Sequence, residues 1–122
     1  MEQDIQAYID NMMREYARFG DEHFVEENGK VVASLKTHTV SIKDLSAHLT
    51  ADGYAYRAKL FIDGVFIADV GNAGMGGEAN FLSRPTNPAL VAETDDELCQ
   101  LSPKINLHLP ALCDMLADEN VE

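Results

Sequence analysis

Apolar side chains recur at steps of three and four residues near the start of the chain, which is the spacing of one face of an amphipathic helix. The row consists of Ile5, Tyr8, Ile9, Met12, Tyr16 and Phe19, and Met13 widens it. We predict a helix over residues 2–19 that stops at Gly20, because glycine readily takes the left-handed conformation that ends helices. The predicted core contact joins Ile9, Met12 and Tyr16 to Leu60, Ile62 and Phe66. The alternative is that this face forms a groove for a partner.

The middle of the chain changes to the two-residue period of strands, interrupted by short turn signals. Asn28-Gly29, Asp52-Gly53 and Asp63-Gly64 each stand between apolar runs. Such pairs favour tight hairpins because both turn residues need positive φ. The run at 38–49 loses its alternation near Asp44, which fits either a β-bulge or a short helix at 43–49. Tyr54 to Ile62 is a predicted strand, and the hairpins together predict an antiparallel meander.

The last third indicates short elements. Residues 78–83 fit a short strand, and 90–101 fit a helix with Thr94 as its cap and Pro103 beyond its end. Pro110 suits the first turn of a last helix, and residues 117–122 are expected to fray. The predicted fold is α+β, with an N-terminal helix packed on an antiparallel β-meander and one or two short C-terminal helices. We expect a single domain over 1–122.

Composition and the start of the sequence indicate the cellular location to expect. No apolar run approaches the roughly 20 residues of a membrane span. The start Met1-Glu2-Gln3-Asp4 is acidic and lacks the basic and apolar regions of a signal peptide. The two cysteines, Cys99 and Cys113, do not form a disulfide framework of the secreted kind. We therefore expect a cytoplasmic protein with no membrane contact.

Charge is the strongest global feature. The chain carries a net charge of −12, with −5 over residues 1–30, zero over 31–85 and −7 over 86–122. Clustered carboxylates repel phosphates and attract basic proteins, so we expect a basic protein partner and no direct nucleic acid. The alternative is that the acidity only maintains solubility. The predicted partner contacts at the acidic ends are Glu22, Glu26, Glu27, Asp95, Asp96 and Glu97.

A glycine-rich loop at residues 71–77 is the most unusual local feature. Gly74-Met75-Gly76-Gly77-Glu78-Ala79 matches a dinucleotide-binding pattern, but a hairpin strand precedes it and Pro85 prevents a long following helix. We predict a turn in which Gly74, Gly76 or Gly77 holds positive φ and Asn72 or Asn80 bonds the loop backbone. A third interpretation is a partner surface that exposes the adaptable Met75.

Catalytic and metal chemistry find little support in the sequence. His23, His38, His48 and His108 are scattered, and the Cys99–His108–Cys113 spacing matches no usual zinc pair. Serine-hydrolase and metalloprotease signatures do not occur in the sequence. We predict no catalytic residues, no cofactor and no metal, and hence no enzymatic activity.

Residues 61–81, from Phe61-Ile62-Asp63-Gly64 through the glycine loop to Asn80-Phe81, resemble a hairpin-plus-glycine-loop of small phage and plasmid proteins. The resemblance implies an accessory protein of a mobile element, similar to anti-CRISPR and anti-restriction inhibitors of host defence. Together with the charge, it favours a non-enzymatic inhibitor that mimics DNA and occupies a basic, nucleic-acid-binding surface of a host protein. The alternative is a small enzyme or nucleotide-binding domain that uses the Gly71–Gly77 loop, and a homodimer stays open.

Overall fold

The computed structural model describes residues 2–51, 53–75 and 77–121, and it confirms the predicted α+β fold class. The helices are α1 (Glu2–His23), α2 (Pro88–Leu101) and α3 (Leu109–Asn120). The strands are β1 (Phe24–Glu27), β2 (Lys30–Ser34), β3 (Thr39–Thr50), β4 (Gly53–Ile62), β5 (Val65–Asn72) and β6 (Asn80–Phe81). They form one six-stranded antiparallel sheet in which each strand pairs only with its neighbours in sequence. This is the predicted meander.

Two of the predicted hairpin turns have the expected backbone geometry. Asn28 and Gly29 have φ values of 53° and 80°, and Asp63 and Gly64 have 53° and 79°. Positive φ at both turn residues matches the twist of the strands that the turn joins. Asp52 of the third signal lies outside the described residues.

Strand β3 resolves the ambiguity at residues 43–49 in favour of a bulge. The strand runs unbroken from Thr39 to Thr50, and its pairing with β4 shifts between Lys43 and Ser46. Asp44, inside the shift, has φ 53°. An extra residue of this kind reverses the alternation of side chains without ending the strand. The helix alternative was wrong.

The hydrophobic core lies on one face of the sheet. Alternate residues of β4 are buried there, namely Tyr56, Ala58, Leu60 and Ile62. Leu98 of α2 and Leu112 and Leu116 of α3 are fully buried in the same cluster. Helices α2 and α3 therefore cover this face, as the period-two pattern of β4 requires.

One side chain ties α3 to the second strand. Asn120 accepts a hydrogen bond from the Val31 backbone N–H at 2.9 Å and donates one to the Val31 carbonyl at 3.0 Å. The two residues are 89 positions apart in the chain. This amide satisfies both backbone polar groups of a residue in β2.

Helix α1 does not pack where the sequence predicted. Its main strand contacts are with β1 and β2, at the edge of the sheet, and Ile9 is 45% exposed. The predicted partner Phe66 pairs in register with Phe61, on the face opposite the core. β1 begins at Phe24, directly after the helix, which places the end of α1 at this edge, and Glu15 lies 3.6 Å from Lys104 in the connection between α2 and α3. The predicted core contact was wrong for Ile9 and Phe66, whereas Tyr16 packs against the core cluster that contains Leu60 and Ile62.

Three predicted element ends also need correction. The helix α1 continues through Gly20 to His23, and a Cβ at Gly20 would lie 3.3 Å from the Phe24 ring. The cap of α2 is Asn87, whose side chain accepts from the Leu90 N–H at 3.1 Å, whereas Thr94 is buried inside the helix. The predicted frayed tail is helical as far as Asn120.

Candidate binding surface

A groove of about 650 Å³ lies between α1, the first strand and α3. Its apolar part includes Tyr16 of α1, Val31 of β2 and Met115 of α3, which also pack against the core. The adjacent Met13 and Val25 are exposed. An accessible apolar depression of this size fits protein recognition better than a scattered apolar surface does.

Four carboxylates surround this groove: Asp21, Glu26, Asp118 and Glu119. No Lys, Arg or His stands among the described residues that line it, and none of the four carboxylates takes part in an ion pair between described residues. We call this feature the acidic groove. It can attract a cationic group and remove apolar surface from water at the same contact.

The helix ends make the acidic groove more negative. Asp21 lies in the last turn of α1, and Asp118 and Glu119 lie in the last turn of α3. The carbonyl end of a helix carries a partial negative charge, so carboxylates there are unfavourable. Burial, together with the neighbouring Asp114 and Glu119, raises the pKa of Asp118. These groups therefore cost the folded chain stability that an incoming cation would restore.

The apolar row of α1 extends beyond the acidic groove. Ile5, Tyr8 and Met13 are 62%, 65% and 63% exposed, and the row shares a helical face with the buried Phe19. The C-terminal half of this face is covered by the protein, whereas the N-terminal half is left accessible. This exposure supports the alternative prediction that the apolar face of the helix is available to a partner.

The acids that the sequence nominated divide between two places. Glu26 lines the acidic groove, and Glu27 is exposed beside it on β1. Glu22 is exposed at the end of α1 and lies 3.6 Å from Arg18. The residues Asp96 and Glu97 line a different depression, beside Thr37 and His38.

Two of the nominated acids on α2 make internal contacts. Asp95 accepts from the Leu109 N–H at 2.8 Å and so caps the start of α3. Glu97 accepts from the Thr37 N–H at 2.8 Å and from the Thr37 hydroxyl. These bonds give both carboxylates a structural role.

Sequence analysis missed Asp118 and Glu119 because it treated the end of the chain as frayed. The spacing of Asp114 and Asp118 by four residues places both on one face of a helix that begins near Pro110. That periodicity could have indicated that the helix continues through Asp118, which lines the groove.

The glycine loop is held by a carboxylate that the sequence did not single out. Asp114 Oδ1 accepts from the Tyr56 hydroxyl at 2.8 Å and from Asn72 Nδ2 at 3.0 Å. Its Oδ2 accepts from the Ala79 N–H at 3.1 Å. Burial and the Asp114 charge raise the pKa of Tyr56, which keeps its hydroxyl a donor. The carboxylate therefore joins β4, β5 and the end of the loop to α3.

The predicted loop conformation is confirmed at two residues. Gly74 has φ 75°, and Asn72 accepts from its N–H at 2.8 Å while donating to the Gly77 carbonyl at 2.9 Å. Gly76 lies outside the described residues. The loop leads into the short strand β6, and Met75 is 82% exposed. The Asp114 carboxylate accepts from the Ala79 N–H and so occupies a backbone donor that a phosphate at this end of the loop would need.

A second polar cluster joins the turn between β4 and β5 to α2. His38 Nδ1 lies 2.7 Å from Asp63 Oδ2, and His38 Nε2 lies 3.8 Å from Glu93 Oε2. The hydrogen bond to Asp63 raises the pKa of His38. Desolvation opposes ionisation of Asp63, but bonds from His38 and Thr39 lower its pKa overall.

The His38 cluster predicts a pH-dependent stability. A raised histidine pKa gives a contribution that is full below about 6.5 and is lost as pH rises through the folded-state value. We expect His38→Gln to lower the free energy of unfolding most near pH 5.5 and least near about pH 8.5. Urea unfolding of both chains across this range measures the difference. His48→Gln, at an exposed position on β3, is the control, and a pH-independent effect of His38→Gln would contradict the prediction.

The cysteines and histidines do not converge on a metal site. Cys99 Sγ lies 3.7 Å from His108 Nδ1, and Cys113 is buried. Burial raises the pKa of the Cys113 thiol, which disfavours the thiolate that binds metals. Over residues 2–51, 53–75 and 77–121, no group of three His, Cys, Asp or Glu side chains is placed to hold a metal ion.

Membrane-spanning character and similarity to known proteins give no further information about the acidic groove. In the described part of the chain, no helix combines the length and apolar character that crossing a bilayer requires. Comparison with protein-family models, curated proteins and solved structures finds no match to this chain.

Proposed function

We propose that this chain is a non-enzymatic interaction protein, of the phage-inhibitor kind, that binds a basic nucleic-acid-handling protein of the host. The observation that carries the proposal is the acidic groove, where four carboxylates without a described counter-charge surround an apolar depression. A protein that grips nucleic acid presents clustered Lys and Arg with apolar side chains between them. The acidic groove is complementary to such a surface in both charge and polarity.

The exposed row of α1 supports a basic partner rather than a second copy of the chain. On the helix, Asp4 lies along one side of the apolar face and Asp10 lies along the other. Two copies that packed through this face would bring carboxylates together, at a cost in electrostatic repulsion. A cationic partner would turn the same flanks into attractions and would associate faster at low salt.

Neutralising the groove should separate stability from binding. We expect the free energy of unfolding of the double variant Asp118→Asn/Glu119→Gln to be higher than that of the wild type by about 0.3–1 kcal/mol per site. The gain arises because the two carboxylates oppose the α3 dipole. The same variant should bind the partner about 2- to 30-fold more weakly at low salt, since exposed ion pairs bring about 0.2–1 kcal/mol each. Thermal unfolding and titration with the purified partner measure the two effects.

The α2 acids supply a matched control. Glu93→Gln/Asp96→Asn removes the same charge from exposed positions on another helix. The partner is first isolated from host lysate on the immobilised wild-type chain and then purified for titration. The proposal requires that the α2 variant bind like the wild type. Loss of binding in the α2 variant alone would place the interface on α2 and contradict the proposal. Unchanged binding in both variants would mean that the acidity serves only solubility.

A further inference from the structure

The face of the sheet opposite the helices carries the opposite charge. Lys43 of β3 and Lys59 of β4 stand directly across from each other, and Arg57 precedes Lys59 by two residues on the same face. The carboxylate in register with them is Asp69, which lies 3.3 Å from Lys59. Residues 31–85 have no net charge along the chain, yet strand alternation gathers three of their cations here. We call this the open face.

Two aromatic rings lie among these cations. Phe61 and Phe66 are paired in register, with ring centroids 5.8 Å apart in an edge-to-face arrangement. Lys43 Nζ lies 4.5 Å from the centre of the Phe61 ring, and Lys59 Nζ lies 5.5 Å from that of Phe66. Both rings are only partly buried, although apolar rings of this size are normally placed in the core.

The arrangement is unfavourable in the absence of a ligand. Like charges directly across a strand pair repel each other, and Lys43 and Lys59 are such a pair. The Asp69 carboxylate beside Lys59 and the positions of the two ammonium groups over the rings relieve the repulsion only in part, because exposed ion pairs and cation–π contacts are weak. An anion between the two ammonium groups would remove the repulsion and leave the rings free for a planar group.

We propose that the open face binds single-stranded nucleic acid, with phosphates at Lys43, Lys59 and Arg57 and a base stacked on Phe61. Interleaved cations and aromatic rings on a sheet are the chemistry that recognises a single strand, since only unpaired bases offer their faces for stacking. The net charge of −12 opposes nucleic acid around the protein as a whole. The helices and their acids, however, lie on the other side of the sheet, and contact at the open face is short-ranged at physiological salt. This site is independent of the acidic groove.

The test uses a fluorescein-labelled oligothymidylate of about 12 nucleotides, a length comparable to the site of one small domain. Fluorescence anisotropy is followed while the full chain is titrated at about 20 to 200 mM salt. We expect binding whose affinity falls with a logarithmic salt slope of about −2, the value for three phosphate contacts on a single strand. Absence of binding at the lowest salt overturns the proposal.

Variants separate charge from stacking. Lys43→Gln/Lys59→Gln should reduce the slope to about −0.7, the value for one remaining contact. Phe61→Leu should weaken binding at least about fivefold, because a lost stacked base is worth about 1–3 kcal/mol. Lys30→Gln, at the turn between β1 and β2, is the charge control and should bind like the wild type. If binding in Phe61→Leu is unchanged, the proposed stacking is overturned.

Competition distinguishes nucleic acid from an acidic protein. Poly-glutamate offers carboxylates without bases, so we expect unlabelled oligothymidylate to displace the probe at much lower concentration. Equal displacement by poly-glutamate overturns the proposal and assigns the open face to an acidic polypeptide. This comparison needs only the wild-type chain, so it stands even where Phe61→Leu fails to fold.

Discussion

Truncating Phe19 to alanine is expected to lower the free energy of unfolding by about 3–5 kcal/mol, the usual cost of removing a buried aromatic ring. Phe19 is 3% exposed, and its ring meets that of Phe24 edge-on at 6.1 Å between centroids. It also lies 4.6 Å from the His23 ring. The loss therefore includes both apolar burial and aromatic contacts that join α1 to β1.

Ile9→Ala provides the matched comparison on the same face of the same helix. Ile9 is 45% exposed, and alanine has the higher helix propensity, so we expect a change below about 1 kcal/mol. Urea unfolding of the two variants, beside the wild type, measures both values. A loss of about 2–4 kcal/mol in Ile9→Ala would mean that this part of α1 is buried in solution.

The second large effect is expected at Asp114. Asp114→Ala should cost about 2–4 kcal/mol, because the Tyr56 hydroxyl, the Asn72 amide and the Ala79 N–H lose their acceptor together. Buried donors without partners pay their desolvation in full. Beyond stability, the glycine loop should become more open, since the Ala79 end of the loop would no longer be bonded to α3. Amide hydrogen exchange of residues 72–79 measures that opening.

Two further variants define the role of Asp114. Tyr56→Phe removes one donor and leaves the carboxylate bonded to the loop, so about 0.5–1.5 kcal/mol is expected. Asp96→Asn, on the exposed side of α2, should stay within about 0.5 kcal/mol of the wild type. An Asp114→Ala chain as stable as the wild type, with unchanged exchange in the loop, would show that the hydrogen-bond cluster does not hold the loop.

Features that depend on neighbouring residues could be predicted from the sequence. The turn at Asn28-Gly29 and the one at Asp63-Gly64 follow from backbone sterics alone. The break in alternation near Asp44 marked the place of the bulge but fitted a short helix equally well. The face of α1 was also predicted, but periodicity shows which residues share a face and not what covers it. Where α1 packs depends in part on the absence of a loop between α1, which ends at His23, and β1, which begins at Phe24. The helix length that sets this connection was not predicted from the sequence.

The candidate surfaces were harder to predict because charge was summed along the chain. Residues 31–85 are neutral by that count, yet Lys43 and Lys59 share one face of the sheet. Similarly, Asp21 and Asp118 come from opposite ends of the chain and line one groove. Asp95 was predicted to contact a partner, and nothing in the sequence indicated that it also caps α3. The role of a carboxylate depends on the hydrogen-bond donor that it contacts. That donor often lies far away in the chain, so the sequence alone does not identify it.

Helix α3, which Asn120 joins to Val31 of β2, is the last element of the fold to be synthesised, and this order affects how the chain folds on the ribosome. Each hairpin of the meander can form from adjacent residues as soon as they leave the ribosome, because sequential pairing needs only short loop closures. The apolar side of the completed sheet, however, stays partly uncovered until residues 109–120 have left the ribosome and α3 can dock beside α2. During that interval the nascent chain presents a hydrophobic surface of the type that chaperones recognise. A stop codon shortly before Leu109 should therefore yield an aggregating or degraded fragment rather than a smaller folded protein.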